Sequence, residues 1–160
     1  MFKKLLSFVL ALALSVSLIS CSDGDGAFSY CEMSIPLTED FYPVESEKFD
    51  ATYSNGNYAV AILRISFVAA VMDGIPETLS AHDFGEIWLE RCDRDANMIS
   101  GDLAYCEYYE DAGGIEYFYL EAFYRSPYAY FVVLFTTAAE LESTGRVDFL
   151  KFAKNVTFTT

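Results

Sequence analysis

The chain has 160 residues, and its formal net charge is −14 because 24 Asp and Glu residues outnumber 10 Lys and Arg residues. Hydrophobic residues make up 53% of the sequence and aromatic residues 17%, so a chain of this length can form one domain with a substantial core. The negative charge excludes nucleic acid and anionic lipid headgroups as favourable direct partners, because their phosphates are repelled. Acidity also keeps an aromatic-rich domain soluble, so the charge alone does not indicate a function.

The N-terminal segment has the pattern of a secretory signal. Two lysines precede an uncharged, mostly apolar run over residues 5–19, which is too short for a transmembrane helix of about 20 residues but fits the apolar region of a signal peptide. The next residues complete the sequence LISC, Leu18–Cys21, which resembles the lipobox of bacterial lipoproteins. The resemblance implies cleavage after Ser20 and a diacylglycerol on the thiol of Cys21. The alternative is an ordinary signal peptide that ends near a chance cysteine.

This pattern divides the chain into three parts. Residues 1–20 are predicted to be a lipoprotein signal peptide, residues 21–29 the lipidated cysteine and a flexible tether, and residues 30–160 a single domain. Loss of the signal peptide would remove two lysines and leave 24 acidic against 8 basic residues, a net charge of −16. The predicted location is outside the cytoplasm, at a bacterial membrane, with the lipid as anchor.

The domain is predicted to begin with a half-buried strand. Tyr30–Leu37 alternates between apolar and polar residues, and this period of two is typical of a strand with one face on a core. Its inward face is predicted to carry four residues: Cys31, Met33, Ile35 and Leu37.

The next two apolar runs predict a β-hairpin. Residues 49–54 and 57–67 flank Asn55-Gly56, and Asn-Gly favours a type I′ turn because both residues tolerate positive φ. The sequence FVAAVM at residues 67–72 is predicted to be a buried connection.

An α-helix is predicted over residues 81–96. Ser80 and Asp83 form a capping pattern at its start. The chain's only histidine, His82, falls in the first turn, where a solvated side chain is expected. One apolar stripe is formed by four residues at helical spacing: Phe84, Ile87, Trp88 and Cys92.

Three strand-like runs then predict an antiparallel meander over residues 102–110, 115–125 and 128–137. A second helical segment follows, predicted to bend at Gly145, and the chain closes with a short strand at residues 156–159. The order of elements predicts the α+β class: an antiparallel β-sheet of about six to seven strands with two main helices packed on one side.

Two stretches carry a resemblance to a known family. SIPLTEDF at Ser34–Phe41 and FLKFAKNVTF at Phe149–Phe158, together with the order of elements, resemble the PsbP-like superfamily. Its fold is shared by an extrinsic protein of photosystem II, a Ran-binding nuclear import factor and small bacterial lipoproteins. The resemblance covers nearly all of residues 30–160 and implies a curved antiparallel sheet flanked by helices, with a role in binding, scaffolding or assembly. It carries over no catalytic residues, and no metal site, since His82 lies outside both stretches.

Three cysteines remain in the predicted domain: Cys31, Cys92 and Cys106. An odd number permits at most one internal disulfide and leaves one free thiol, and the spacing does not decide the pairing. Cys31 and Cys92 are predicted to point into the core, whereas alternation leaves the face of Cys106 undecided. None of the three has the spacing of zinc ligands, so no metal or cofactor is predicted.

Other chemical motifs are incomplete. Asp93–Asn97 begins like a calcium-binding loop, but Met98 and Ala104 replace the turn glycine and the bidentate glutamate that such a loop requires. We therefore interpret this stretch as a frayed helix end. There is no Gly-x-Ser-x-Gly sequence and no glycine-rich phosphate loop, and no catalytic residues are predicted.

Aromatic residues are abundant, with 12 Tyr, 14 Phe and one Trp. Both faces of the 115–125 run carry them, so either both faces are ordinary core or one is an exposed platform for a partner. The residues predicted as a partner surface are Tyr117, Tyr119, Phe123, Tyr128 and Tyr130.

The function predicted from the sequence is a lipid-anchored, non-enzymatic binding or assembly module of the bacterial cell envelope. Its partner would be an envelope protein or a small ligand, with the membrane contacted through the lipid only and no nucleic acid bound. Two alternatives remain open. One is a purely structural envelope protein, and the other is a secreted enzyme or enzyme accessory that uses the clustered carboxylates Glu107, Glu110 and Glu116.

Overall fold

A computed structural model describes residues 28–159. The predicted signal peptide, Cys21 and most of the predicted tether lie outside the described residues. Phe28 and Ser29, which were expected to belong to the tether, are already part of the first strand. Within the described range, no helix has the length and apolar character needed to cross a membrane.

The elements in chain order are β1 Phe28–Tyr30, β2 Met33–Ile35, β3 Tyr42–Pro43, β4 Ala51–Ser54, β5 Tyr58–Ser66, α1 Phe67–Met72, α2 Ala81–Arg91, β6 Ala104–Ala112, β7 Ile115–Arg125, β8 Ala129–Ala138, a 3-10 helix Ala139–Leu141, α3 Glu142–Lys154 and β9 Thr157–Phe158. Six strands form an antiparallel sheet in the order β3-β4-β5-β8-β7-β6, and β1-β2-β9 form a separate three-stranded sheet. The α+β class and the antiparallel sheet predicted from the sequence are confirmed. The meander is also confirmed as β6-β7-β8.

The centre of the main sheet is buried on both faces. Strand β8 is buried from Ala129 to Thr137, because both its odd and its even positions are apolar or small. On one face Phe135 packs on Phe149 of α3, and on the other Tyr130 stacks on Phe84 of α2 at a centroid distance of 4.3 Å. The two main helices therefore lie on opposite faces, and the expectation that both lie on one side is wrong. A strand without a polar face requires cover on both sides.

The β4–β5 hairpin is confirmed, but its turn differs from the prediction. Gly56 has a φ of +89°, whereas Asn55 does not have positive φ. The amide of Asn55 donates to the carbonyl of Tyr58, so Gly56 is the first central residue of the turn, as in type II′. The side chain of Asn55 accepts from the amides of Asn57 and Tyr58 at 3.1 and 2.8 Å, which holds the turn closed.

Helix α3 is continuous through Gly145, so the predicted bend is wrong. The residue is needed for close packing: a Cβ atom at this position would lie 2.8 Å from Cγ2 of Thr137 on β8. Thr137 is fully buried and its hydroxyl donates to the carbonyl of Asn57, which limits its freedom to move away. The missing side chain thus allows α3 to approach the sheet.

The FVAAVM segment is helix α1 and is not a buried connection. Ser66 caps it by accepting a hydrogen bond from the amide of Ala69. Ala70 is the buried member, whereas Val68, Val71 and Met72 are 73%, 54% and 83% exposed. One turn and a half of helix can place only one of its faces on the protein, so the prediction of burial is wrong for these three residues.

Cys31 is exposed, although it was predicted to point into the core. The strand expected over residues 30–37 is instead the β1–β2 hairpin, which turns at Cys31 and Glu32, and Cys31 has a φ of +50°. Met33, Ile35 and Leu37 are buried as predicted. The turn removes Cys31 from their alternation.

Substitution of Gly145 by valine should destabilise the fold by about 1–3 kcal/mol, the usual cost of overpacking. Valine has a higher helix propensity than glycine, so the loss would come from contact with Thr137. Urea unfolding measures the change. Thr144→Val, at an exposed position of the same helix, is the matched control and should alter stability little. Equal stability of the two variants would contradict this packing role.

Candidate binding groove and the buried Arg94–Glu121 cluster

A groove with a volume of about 430 Å³ lies at the end of the main sheet where β7 finishes. The first turn of α2, the segment before β6, the end of α3 and β9 form its other sides. The residues that line it include the aromatic Phe123, Tyr124 and Phe158 and the charged Asp102, Arg125 and Lys154. A groove of this size with a few polar groups among apolar ones is suited to a small ligand.

The N-terminus of α2 is fixed beside this groove by its cap. The hydroxyl of Ser80 accepts from the amide of Asp83 at 3.1 Å and donates to its carboxylate at 2.8 Å. The predicted capping pattern is therefore confirmed. The cap sets His82 at the groove, half-buried, in the first turn.

The end of β7 is held by two consecutive residues that line the groove. The hydroxyl of Tyr124 donates to the carbonyl of Ala153 at 2.8 Å, which ties β7 to the last turn of α3, and burial raises the pKa of Tyr124. The guanidinium of Arg125 donates to the carbonyl of Glu77 and lies 5.1 Å from the ring centre of Phe67. A backbone carbonyl and an aromatic ring therefore hold the guanidinium of Arg125, and no carboxylate contributes.

The charge at the groove differs from that of the whole chain. Arg64, Arg94 and Arg146 each pair with a carboxylate. Across residues 28–159, neither Arg125 nor Lys154 forms such a pair. Asp102 is the one carboxylate residue that the structure places in the groove lining. The groove lining thus has two cationic residues to one carboxylate, in a chain where acidic residues are in excess.

A second polar arrangement lies under α2 and starts from the way that helix ends. Asp93 has a φ of +52°, its amide donates to the carbonyl of Glu90, and the amide of Arg94 donates to that of Leu89. This is the hydrogen-bond pattern of a Schellman motif, with Asp93 in the position that glycine usually occupies. The helix ends at Arg91, earlier than the predicted Ala96, because the chain reverses here. The reversal directs Arg94 back over the sheet.

The carboxylate of Glu121 on β7 forms an ion pair with Arg94 and accepts two hydrogen bonds from other side chains. Its side chain is nearly inaccessible, and it accepts from the indole Nε1 of Trp88 at 2.8 Å and from the hydroxyl of Tyr108 at 3.2 Å. The Nε of Arg94 lies 3.7 Å from the second carboxylate oxygen, and its guanidinium carbon lies 4.0 Å from the ring centre of Tyr108. Glu110 adds a further contact to Arg94 at 3.4 Å.

Burial of its carboxylate raises the pKa of Glu121, while Arg94 and the Trp88 and Tyr108 hydrogen bonds oppose that rise. Because α2 and the segment after it contribute Trp88 and Arg94, while β6 and β7 contribute Tyr108 and Glu121, the cluster pins the helix to the sheet. This cluster was not predicted from the sequence. The signal was available, since Glu121 occupies the same face of β7 as Tyr119 and Phe123, where a carboxylate needs buried partners.

The three carboxylates considered for catalysis are separated. Glu107 pairs with Arg146 at 2.9 Å on the α3 side of the sheet, and Glu110 contacts Arg94 on the α2 side. Glu116 is exposed at the start of β7. Positions 107 and 110 have opposite parity along β6 and so face opposite sides of the sheet. The structure does not bring these three side chains together.

Among residues 28–159, one group of side chains on α2 could ligate a cation. His82, Asp83 and Glu86 offer ligand atoms within 4.8 Å of one another, and all three lie on one helical surface. The sequence DRDAN at residues 93–97, considered as a calcium loop, forms the helix-terminating turn instead.

The predicted aromatic partner surface is largely core. Tyr119, Phe123 and Tyr130 are at most 2% exposed and Tyr117 is 7% exposed, whereas Tyr128 is 58% exposed. Phe123 and Tyr130 pack against Phe84 of α2, and Tyr119 stacks on Tyr108. The expectation of exposure is therefore wrong for four of the five residues, because the α2 side of the sheet is covered.

Comparison with known proteins finds similarity of structure. No protein-family model matches the sequence, and no curated protein matches it. A crystal structure from Bacteroides thetaiotaomicron matches with a TM-score of 0.56 and 11% identity, over 84% of this chain and 48% of the other. The solution structure of cyanobacterial PsbP (CyanoP) from Synechocystis matches with a TM-score of 0.52 and 13% identity, over 89% of this chain and 99% of that one.

LpqN, described as involved in cell envelope biogenesis of Mycobacterium tuberculosis, matches with a TM-score of 0.44 and 8% identity, over 80% of this chain and 83% of the other. The chain spans about half the length of the Bacteroides structure. The CyanoP match shows that the fold is PsbP-like, as the sequence resemblance implied.

We predict that alkylation of the native protein labels Cys31 first and Cys106 only after unfolding. All three described cysteines are free thiols; Cys31 is exposed and Cys106 is buried. Burial raises the pKa of Cys92 to about 11 and also raises the pKa of Cys106, so both form little thiolate near pH 7. Mass spectrometry after brief iodoacetamide treatment gives the order. Labelling of Cys106 as fast as that of Cys31 would contradict this assignment.

The ionisation of Glu121 should make the protein less stable as the pH rises above 4.5, the ordinary glutamate pKa. Between that value and the raised folded-state pKa, the folded protein keeps a proton that the unfolded chain has lost, so a higher pH favours unfolding. Glu121→Gln should remove this component of the pH dependence. Urea unfolding across this range measures it, and the fluorescence of Trp88, the single tryptophan, reports the ionisation itself.

Glu116→Gln is the control for this experiment, because Glu116 is exposed on the same strand. Its pH dependence should match that of the unsubstituted protein. If Glu121→Gln also leaves the slope and the fluorescence titration unchanged, the carboxyl of Glu121 does not titrate as stated.

Proposed function

We propose that this chain is a lipid-anchored, extracytoplasmic, non-enzymatic binding or assembly module of the bacterial cell envelope. The observation that carries the proposal is the sequence LISC at Leu18–Cys21 after a short, uncharged apolar run. A lipid on Cys21 would give the mature chain its membrane attachment, since a diacylglycerol and a further acyl chain suffice for stable anchoring.

The start of the folded domain supports a position close to the bilayer. Strand β1 begins at Phe28, seven residues after Cys21, and a fully extended chain spans about 3.5 Å per residue. The domain is therefore tethered within about 25 Å of the lipid anchor. The net charge of −16 after removal of the signal peptide disfavours direct contact with anionic headgroups.

The groove supports binding as the activity. It combines apolar side chains with Arg125 and Lys154, and the separated positions of Glu107 and Glu110 do not supply the facing carboxylates of a glycosidase. The partner proposed for the module is a component within reach of the tether, either an envelope protein or a small ligand.

Cys21→Ala should abolish lipid labelling and membrane retention, because it removes the thiol that accepts the diacylglycerol. Incorporation of radiolabelled palmitate and fractionation of cells are the measurements. Cys31→Ala is the matched control, since Cys31 is an exposed thiol on the folded domain, and it should label as the unsubstituted chain does. Equal palmitate incorporation in Cys21→Ala would refute the anchoring assignment.

A further inference from the structure

We propose that the groove binds a small organic anion, specifically a carboxylate carried on an aromatic or branched aliphatic body. This inference deepens the proposed binding function by naming the ligand class of the same site, and it does not depend on the lipid anchor.

The first argument is the position of two cations in one groove. Four described cations have no ion-pair partner, and two of them, Arg125 and Lys154, line this groove, whereas Arg91 and Lys151 do not. The chain has 24 acidic and 10 basic residues, and Arg64, Arg94 and Arg146 are all paired with carboxylates. In the described part of the chain, Arg125 and Lys154 form no such pair and yet line one groove. A cation that has no carboxylate partner within the chain can form charge-assisted hydrogen bonds with the carboxylate of a ligand.

The second argument is that Arg125 is held in place by neutral groups. Its Nε and one terminal nitrogen donate to the carbonyl of Glu77, at 3.4 and 3.1 Å, and its guanidinium lies over the ring of Phe67. Neither contact cancels its positive charge, and three of its five N–H donors take no part in these hydrogen bonds. An oriented guanidinium loses less entropy on binding a carboxylate than a mobile one would.

The third argument is the apolar surface beside these cations. Phe123, Tyr124, Val156 and Phe158 line the groove, and its volume of about 430 Å³ lies within the range of small-molecule sites. An inorganic anion would leave this surface in water, whereas an aromatic or branched body would cover it. The start of α2 at Ser80–His82 also faces the groove, and the positive end of a helix dipole favours a negative ligand.

Asp102 sets the orientation of the ligand. It is the one carboxylate residue that the structure assigns to the lining, and it would repel the ligand carboxylate from its own side of the groove. The carboxylate is therefore placed toward Arg125 and Lys154, and the apolar body toward the aromatic residues. Asp83, next to His82, is engaged by Ser80.

The test is a titration of the full-length chain, purified in a mild non-ionic detergent, with phenylacetate. Nuclear magnetic resonance follows the backbone amides of residues 101–104 and 154–158, on two sides of the groove. We expect saturable shifts with a dissociation constant of about 1 mM, a reasonable affinity for a ligand of this size. Phenylacetamide, the neutral isostere, and acetate, which lacks the apolar body, should each bind at least about tenfold more weakly.

Lys154→Gln should weaken phenylacetate binding about fivefold to tenfold, in line with loss of one charged contact. Lys151→Gln is the matched control, because Lys151 is an exposed cation one turn earlier on α3 and does not line the groove. Its affinity should be unchanged. Arg125→Gln should act like Lys154→Gln; if it fails to fold because the Glu77 contact is lost, Lys154→Gln decides the question alone.

Three results would overturn the inference: no saturable shift with phenylacetate, equal affinity for phenylacetate and phenylacetamide, or equal weakening by Lys154→Gln and Lys151→Gln. If phenylacetamide bound as tightly as phenylacetate, the negative charge would contribute nothing to binding. The ligand would then be entering the groove or the detergent through its apolar part alone. None of these results affects palmitate incorporation at Cys21. A failed titration with normal labelling therefore rejects the ligand class and leaves the anchored module standing, and the reverse pattern rejects only the anchor.

Discussion

The burial of β7 and β8 on both faces is the constraint from which the rest of the structure follows. A strand such as AYFVVLFTT, residues 129–137, has no polar side to turn toward water. Burying each large apolar side chain contributes about 1.5–3 kcal/mol, so both faces must be covered for the sheet to be stable. Helix α3 and the small β1-β2-β9 sheet cover one face, while α2 and the segments around it cover the other.

The two covers are attached to the sheet in different ways. On the α3 side the contact is close apolar packing, with Gly145 against Thr137 and Phe149 between Phe118 and Phe135. On the α2 side a charged cluster joins Arg94 to Glu121 beneath the helix. Removal of one partner from such a pair costs more than the pair itself contributes, because it leaves an uncompensated buried charge. On the α2 side, polar contacts as well as apolar packing therefore join the helix to the sheet.

The groove exists because the two covers do not meet at the end of β7. Tyr124 turns toward α3 and bonds to Ala153, whereas Phe123 turns toward α2 and packs on Phe84. These two consecutive residues of β7 thus contact helices on opposite faces of the sheet. The groove lies between the two helices, at the end of β7. Two charged residues, Arg125 at the end of β7 and Lys154 at the end of α3, then lie in the groove lining.

Local sequence patterns predicted most elements but not their assembly. The Ser80 cap and the three-strand meander depend on neighbouring residues, and both were predictable. The face that each helix covers depends on long-range packing, and periodicity within one strand does not decide it. Cys31 was predicted to be buried because the alternation of apolar and polar residues runs unbroken through the β1–β2 turn. A glycine usually marks a turn with positive φ, and here Cys31 takes that conformation.

The candidate site was harder to predict, for a physical reason. Lys154 and Phe158 are distant in sequence from His82 and Arg125, and only the tertiary fold brings them to one groove. Glu121 and Arg94 likewise come from separate elements. The sequence did indicate many aromatic residues and an excess of acidic ones. Four of the five aromatic residues predicted to form a partner surface are, however, buried in the core.

The acidic residues of β6 have a consequence for self-association. In the described residues β6 is one of the two edge strands of the main sheet, with β3 at the opposite edge. Beyond the bridge between Ile99 and Tyr105, the outer edge of β6 is unpaired. Such an edge is a template for pairing with another copy and for the growth of aggregates. Glu107, Glu110 and Asp111 lie along this stretch, so a second copy would bring its own carboxylates against them. Like charges brought opposite one another across two strands repel, so the acidic edge of β6 disfavours its pairing with a second copy.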